Sequence, residues 1–140
     1  MAKDTSKLVE ELSLCEDFAT FYEENEPAMT TAPLTALLQQ LLTDKKLNKA
    51  VVIRESELAE IYAYQIFSGL RKPDRKKLLC LAVAMHLTAD ETQTLLKSSG
   101  YPPLYIKRPF DSVVLYGFYK QLTVLEINEL LFEYRLETLG

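Results

Sequence analysis

The sequence predicts an all-α fold. Only four glycines occur in 140 residues, and β-branched residues do not cluster, which favours helices over strands. Apolar residues recur at helical spacing along most of the chain. The length accommodates one compact domain with additional helices, but not two domains of ordinary size.

In the first half of the chain, proline and glycine are expected to separate the helices. Asn25-Glu26-Pro27 should end the helical segment that begins near residue 5. Thr30 is expected to cap the next helix, with Pro33 in its first turn. Gly69 should close the second of two short helices that follow, because glycine readily adopts the left-handed conformation found at helix C-termini.

In the second half, capping residues mark the helix starts. Asp74 and Asp111 are each expected to cap a helix. Two further starts, at Thr88 and Thr123, have the Thr-x-x-Glu form of a capping box. The segment 101–109 contains three prolines and predicts a loop. The predicted helices cover one or two segments within 5–25, then about 33–47, 49–56, 59–68, 75–86, 89–98, 111–119 and 124–134.

Charge is distributed unevenly, although the net charge is only −4. Residues 1–30 hold eight acidic and two basic side chains, a local charge of −6. Residues 45–77 hold nine basic and four acidic side chains, a local charge of +5. This segregation predicts a basic face on an acidic body. An uneven scatter of surface charge is the alternative, and a third interpretation is that residues 1–30 form an autoinhibitory arm over the basic face.

The segment from Leu34 to Leu96 has a recognisable layout: a long helix, two short helices joined by a turn at Glu57-Leu58, and two more helices. This layout resembles the DNA-binding domain of lambda-repressor-like and Cro-type regulators. Ile66 and Gly69 hold the residue types expected in that family. The resemblance implies a bacterial or phage-type transcription regulator with an acidic helical arm at 1–30, a five-helix helix-turn-helix core at 31–100 and a packed C-terminal helical extension at 101–140.

Two residues depart from the family pattern. Ile53 stands on the scaffold helix where the family usually has a small alanine, which lets the two short helices cross closely. Glu57 stands in the turn where the family usually has glycine, and a non-glycine residue with positive φ costs about 1 kcal/mol.

The resemblance implies that the outward side of residues 59–68 enters the major groove of double-stranded DNA, while Ala63, Ile66 and Phe67 face inward. Gln65 is the best reader, because its amide can pair bidentately with adenine. Flanking basic residues would bind phosphates and make binding salt-dependent. The predicted DNA-binding set is Lys49, Glu60, Ile61, Tyr62, Tyr64, Gln65, Ser68, Arg71, Lys72 and Arg75.

Other partners stay open. Lys107-Arg108 in the proline loop can make a second contact to the DNA backbone. A homodimer is expected through the C-terminal helices or the acidic arm. The alternative function is a non-enzymatic protein-interaction adaptor that kept the helix-turn-helix fold and lost DNA binding, which Glu57, Glu60 and Ile61 favour.

The sequence offers no pattern for catalysis, metal binding or a cofactor, so none is predicted. Cys15 and Cys80 are far apart among apolar neighbours and are interpreted as buried free thiols. His86 is the only histidine and is interpreted as a helix-end residue. No apolar stretch approaches the roughly 20 residues of a membrane span. With no apolar leader at the N-terminus, a cytoplasmic location is expected.

Overall fold

A computed structural model describes the backbone of residues 5–29 and 32–140, and the side chains of residues 6–24 and 34–140. The regular structure of these residues is entirely helical, which confirms the all-α prediction, and none of the helices combines the length and apolar character needed to cross a bilayer. The chain divides into two compact units, Met1–Ala32 and Pro33–Gly140. The helices are α1 Thr5–Leu14, α2 Phe18–Met29, α3 Ala32–Asp44, α4 Lys49–Glu55, α5 Glu60–Ser68, α6 Arg75–Ala84, α7 Ala89–Ser98, α8 Pro109–Tyr119 and α9 Val124–Glu133.

The first unit contains α1 and α2, which contact each other. The break between them falls at Asp17, whose carboxylate accepts hydrogen bonds from the Ala19 N–H at 3.2 Å and the Thr20 hydroxyl at 3.1 Å. The predicted break at Asn25-Glu26-Pro27 is wrong, because α2 continues to Met29. A proline close to a helix end removes only one backbone donor. The predicted cap at Thr30 lies outside the described residues.

In the second unit, α6 lies at the centre of the core. Every residue from Leu78 to Met85 is buried, and α6 contacts α4, α7 and α9. A helix that is apolar on all sides must be surrounded by other elements. Leu38 of α3 and Leu131 of α9 join the same cluster. The core therefore links the middle of the chain to its C-terminal helices.

Most helix starts follow their predicted caps. The Asp74 carboxylate accepts a first-turn N–H of α6 at 2.9 Å. Both bonds of the capping box are present at Thr88 and at Thr123. The prediction for Asp111 is wrong: Arg108 is the N-cap residue of α8, and Asp111 lies inside the first turn with its carboxylate buried.

Helix ends depend less on glycine than the sequence suggests. Gly69 ends α5 with a φ of 87°, as predicted, and Gly100 follows the end of α7 with a φ of 83°. Elsewhere a non-glycine residue adopts the left-handed conformation, and a leucine follows it each time. These leucines are buried or packed against the core, and burial of about 1.5–3 kcal/mol per side chain offsets the backbone cost. The five residues are Lys46, Glu57, His86, Gln121 and Arg135.

Candidate nucleic-acid interface

The connection between α4 and α5 is fixed by Ser56, which is fully buried. Its hydroxyl donates to the Ile53 carbonyl at 2.6 Å and accepts from the Leu58 N–H at 3.2 Å. Glu57 takes a φ of 63°, the left-handed conformation expected at this position. Ile53 is buried, so the core accommodates its larger side chain. The two departures from the family pattern are thus both absorbed by local packing.

Helix α5 has a buried side and an open side. Ala63, Ile66 and Phe67 are buried, as the 3–4 spacing predicts. On the other side Ile61 is 75% exposed and Tyr64 is 41% exposed. The N-cap residue is alanine, which offers no side-chain acceptor to the first turn. The open side of α5 is therefore accessible to another molecule.

A shallow groove runs along this open side and contains one lysine. Lys49, the first residue of α4, holds its ammonium 5.7 Å from the ring centroid of Phe67, a cation–π distance. This contact places the ammonium beside α5. The groove is lined by Lys49, Glu60, Ile61, Tyr64, Gln65 and Ser68.

Gln65 and Arg71 form one unit at the end of α5. The Arg71 Nε donates to the Gln65 Oε1 at 3.2 Å, and the Arg71 backbone N–H donates to the Gln65 carbonyl at 3.2 Å. The amide oxygen of Gln65 keeps its second lone pair, and its NH2 group keeps both donors. Arg71 can therefore orient the Gln65 amide. Its terminal nitrogens stay available to bind an anion.

Arg75 has a different role from the one predicted for it. Its guanidinium forms a bidentate ion pair with the Asp111 carboxylate, with both contacts at 3.0 Å. It also donates to the carbonyls of Pro102 at 3.0 Å and Pro103 at 3.2 Å. These four bonds use four of the five N–H donors, and the Asp111 carboxylate neutralises the charge, so the fold uses Arg75 internally.

Two other predicted residues lie beside aromatic rings. The Lys72 ammonium is 5.3 Å from the Tyr101 ring, and Tyr62 is half-buried beneath the Lys77 ammonium at 5.7 Å. The Tyr101 hydroxyl donates to the Pro73 carbonyl. Burial and the nearby Asp74 carboxylate raise the pKa of Tyr101. Lys72 is exposed beside Tyr101, whereas Tyr62 is packed against the core.

Several lysines of the basic segment are neutralised within the fold. Lys45 pairs with Glu91 at 2.8 Å, and Lys76 pairs with Glu137 at 2.9 Å. The Lys45 hydrogen bond is the main cause of a lowered pKa at Glu91. Among the side chains of residues 34–140, the ammonium of Lys49 and the guanidinium of Arg71 have no carboxylate within 4 Å. The same holds for Lys46, Arg54, Lys72, Lys97, Lys107, Arg108, Lys120 and Arg135. Of these unpaired bases, α5 has Lys49, Arg54 and Arg71 beside it.

Arg54 is a residue that the sequence-based set omitted. It is exposed in the last turn of α4 and lines a second small groove with Tyr64 and Glu60. Its omission has a simple cause: Arg54 and Tyr64 belong to different helices, and no spacing rule links residues across a turn. The charge count over residues 45–77 was the only sequence signal that included it.

The described residues contain no group of three His, Cys, Asp or Glu side chains arranged for a metal ion. Cys80 is buried, and burial raises the pKa of its thiol to about 11, whereas Cys15 is only half-buried, contrary to its prediction. No protein-family model, curated protein or solved structure matches the chain.

Proposed function

We propose that this chain is a sequence-specific, double-stranded-DNA-binding transcription regulator with a lambda-repressor-like helix-turn-helix core. In this proposal α4 is the scaffold helix and α5 is the recognition helix that enters the major groove. The observation that carries the proposal is the open side of α5, where Tyr64 and the half-buried Gln65 line a groove with Lys49 and where Arg71 bonds the Gln65 amide.

The chemistry of this face suits a base-reading role. The Gln65 amide can accept from adenine N6 and donate to N7, and Ile61 can contact a thymine methyl group. Lys49 lines the same groove as Gln65, and Arg71 is hydrogen-bonded to the Gln65 amide, so each can bind a phosphate near the base that Gln65 contacts. Glu60 can accept a hydrogen bond from cytosine N4. Residues of α5 would thus contact the base edges, and the basic residues beside α5 would contact the DNA backbone.

The direct test is the binding of random and genomic duplex DNA by the full chain between 50 and 200 mM salt. Three phosphate contacts per chain, from Lys49, Arg71 and Lys72, give a slope of log K against log salt of about −2.7, and a dimer doubles it. Selection from random duplexes should then yield a preferred site. Undetectable duplex binding at 50 mM salt would overturn the proposal.

We further propose that the regulator is a homodimer through the outer side of α8 and α9. Tyr116 and Tyr134 are exposed there and border a groove with Val113 and Leu130. Tyrosine is enriched at protein interfaces. A two-fold dimer would read half-sites about 34 Å apart. Sedimentation should give a dimer for the natural chain and a monomer for Tyr134→Glu, and a monomeric natural chain would refute this assembly.

A second candidate function is a protein-interaction adaptor that does not bind DNA. The observation favouring it is the exposed apolar side chain of Ile61 next to the carboxylate of Glu60. A photo-reactive benzophenone amino acid in place of Ile61 separates the two functions in cells. A DNA-binding regulator should give covalent adducts with DNA, whereas a protein-interaction adaptor should give adducts with one polypeptide. In either case, adding Tyr64→Ala should abolish the adduct.

A further inference from the structure

The turn Tyr105–Arg108 projects four exposed side chains from a fixed backbone. The Arg108 N–H donates to the Tyr105 carbonyl at 2.9 Å and closes the turn. The Tyr105 N–H donates to the buried Asp111 carboxylate at 2.9 Å. Gln93 of α7 accepts from the Leu104 N–H at 2.7 Å and donates to the Leu104 carbonyl at 2.9 Å.

The same buried ion pair ties this turn to the exit of α5. Arg75 holds Asp111 and the carbonyls of Pro102 and Pro103, and it lies at the start of α6. Only residues 69–74 separate α5 from α6. A buried charge pair is costly to desolvate, and its retention suits a position that has to be held accurately. Here the Arg75–Asp111 pair holds the exposed turn in position relative to α5 and α6.

The two segments that meet here contain basic residues and no acidic ones. Residues 61–73 hold Arg71 and Lys72, and residues 92–110 hold Lys97, Lys107 and Arg108, with no Asp or Glu in either segment. They are joined where Lys72 lies over the Tyr101 ring and where the Tyr101 hydroxyl bonds the Pro73 carbonyl. Among the described side chains, no carboxylate lies within 4 Å of the Lys107 ammonium or the Arg108 guanidinium. Lys72 thus lies beside the segment that leads into the turn, with the Asp74 carboxylate also close to Tyr101.

We propose that the Tyr105–Arg108 turn is a second DNA contact, in which Lys107 and Arg108 bind backbone phosphates beside the half-site contacted by α5. This inference rests on the proposed function and extends it. The DNA backbone carries a phosphate at every nucleotide, and this surface carries Lys and Arg side chains without carboxylate partners. The two are therefore complementary in charge. We expect the turn to increase affinity for DNA and to leave the sequence preference unchanged, since phosphate contacts carry no base information.

The test compares Lys107→Ala/Arg108→Ala with Lys45→Ala/Lys76→Ala in the full chain. Both variants lose two positive charges, but Lys45 and Lys76 are already paired with Glu91 and Glu137 in the fold. Loss of two phosphate contacts should make the slope of log K against log salt shallower by about 2 per chain. The selected DNA sequence should stay the same, and the control should keep the slope of the natural chain.

A hydroxyl-radical footprint on the selected duplex locates the contact. We expect Lys107→Ala/Arg108→Ala to lose protection of sugars at the edge of the site while protection over the half-site persists. Duplex binding with an unchanged slope and footprint in that variant overturns the second contact and leaves the proposed function standing. If the natural chain binds no duplex, both proposals are overturned together.

Discussion

In the proposed function Arg71 binds a phosphate and Gln65 contacts a base. The hydrogen bond between the two side chains couples these roles. In the proposed function, removing Gln65 takes away the amide that discriminates bases. Removing Arg71 takes away a positive charge and also the contact that orients the Gln65 amide. The two substitutions should therefore differ in kind, not only in size.

We expect Gln65→Ala to reduce discrimination at one base pair by about 1–3 kcal/mol while affinity for random duplex changes little. Arg71→Ala should weaken binding to all sequences and also lower discrimination at the base pair that Gln65 reads. Competition binding with single-base variants of the selected site measures both effects. Lys76→Ala, which removes an already paired lysine, is the control and should match the natural chain.

Arg75 is expected to contribute to stability and not to DNA affinity. The Asp111 side chain is 2% exposed and that of Arg75 is 20% exposed, and removing one partner of a buried pair costs about 3–5 kcal/mol. Arg75→Ala should lower the free energy of unfolding in urea by about 3 kcal/mol. The exposed pair of Lys76 should contribute less than about 1 kcal/mol when tested by Lys76→Ala. Equal losses for the two variants would contradict this assignment.

At the scale of helices, the carboxylate cap of α6 predicts a pH dependence. The Lys77 backbone N–H lowers the pKa of Asp74 below its ordinary value of 3.8. The folded chain therefore binds this proton less tightly than the unfolded chain, so the contribution to stability is present above pH 3.8 and is lost as pH falls through the lowered pKa. Asp74→Asn keeps an acceptor oxygen and cannot titrate. The urea midpoint of Asp74→Asn should fall less steeply below pH 4 than that of the natural chain. If the two midpoints fall in parallel with pH, the pH dependence does not come from Asp74.

The packing of α8 against α9 depends on Gly117. A Cβ atom added there would lie 2.5 Å from Cγ1 and Cδ1 of the buried Ile127. Gly117→Ala gains about 1 kcal/mol in helix propensity but should lose about 1–3 kcal/mol through overpacking. In an Ile127→Ala background the clash disappears, so the same substitution should become stabilising. Urea unfolding of the four chains checks this change of sign, and its absence would contradict the close contact.

The helix starts were predictable because their signals are local. Asp74, Thr88 and Thr123 each bond an N–H three residues further on, which the sequence displays directly. Helix ends were harder to predict, because residues such as Glu57 and His86 adopt left-handed conformations only when the following leucine is packed against the core. That compensation is tertiary and has no local pattern.

Parts of the candidate site were predictable for the same reason. The inward and outward sides of α5 follow from helical spacing within nine residues. The pairing of Arg75 with Asp111 joins residues separated by 36 positions in the chain. No spacing rule reports such a contact, so the sequence alone predicts a DNA contact for a basic residue beside α5 that the fold uses internally.

At the scale of the whole molecule, the acidic residues 1–30 should oppose DNA binding through their charge. Glu10, Glu16 and Glu23 are three of the five described acids in this segment that are exposed. Replacing all three by glutamine changes the net charge from −4 to −1. Affinity for random duplex should rise at 50 mM salt and converge with that of the natural chain at 200 mM, because salt screens long-range repulsion. Equal affinities at both salt concentrations would exclude an inhibitory effect of these charges.

The central position of α6 has a consequence for how variants are compared. Because α6 is enclosed by α4, α7 and α9, residues 33–140 should open as one cooperative block. A substitution in α9 that never approaches a ligand can then reduce measured affinity simply by enlarging the population of denatured molecules. Each measured dissociation constant should accordingly be multiplied by the folded fraction before a residue is credited with recognition.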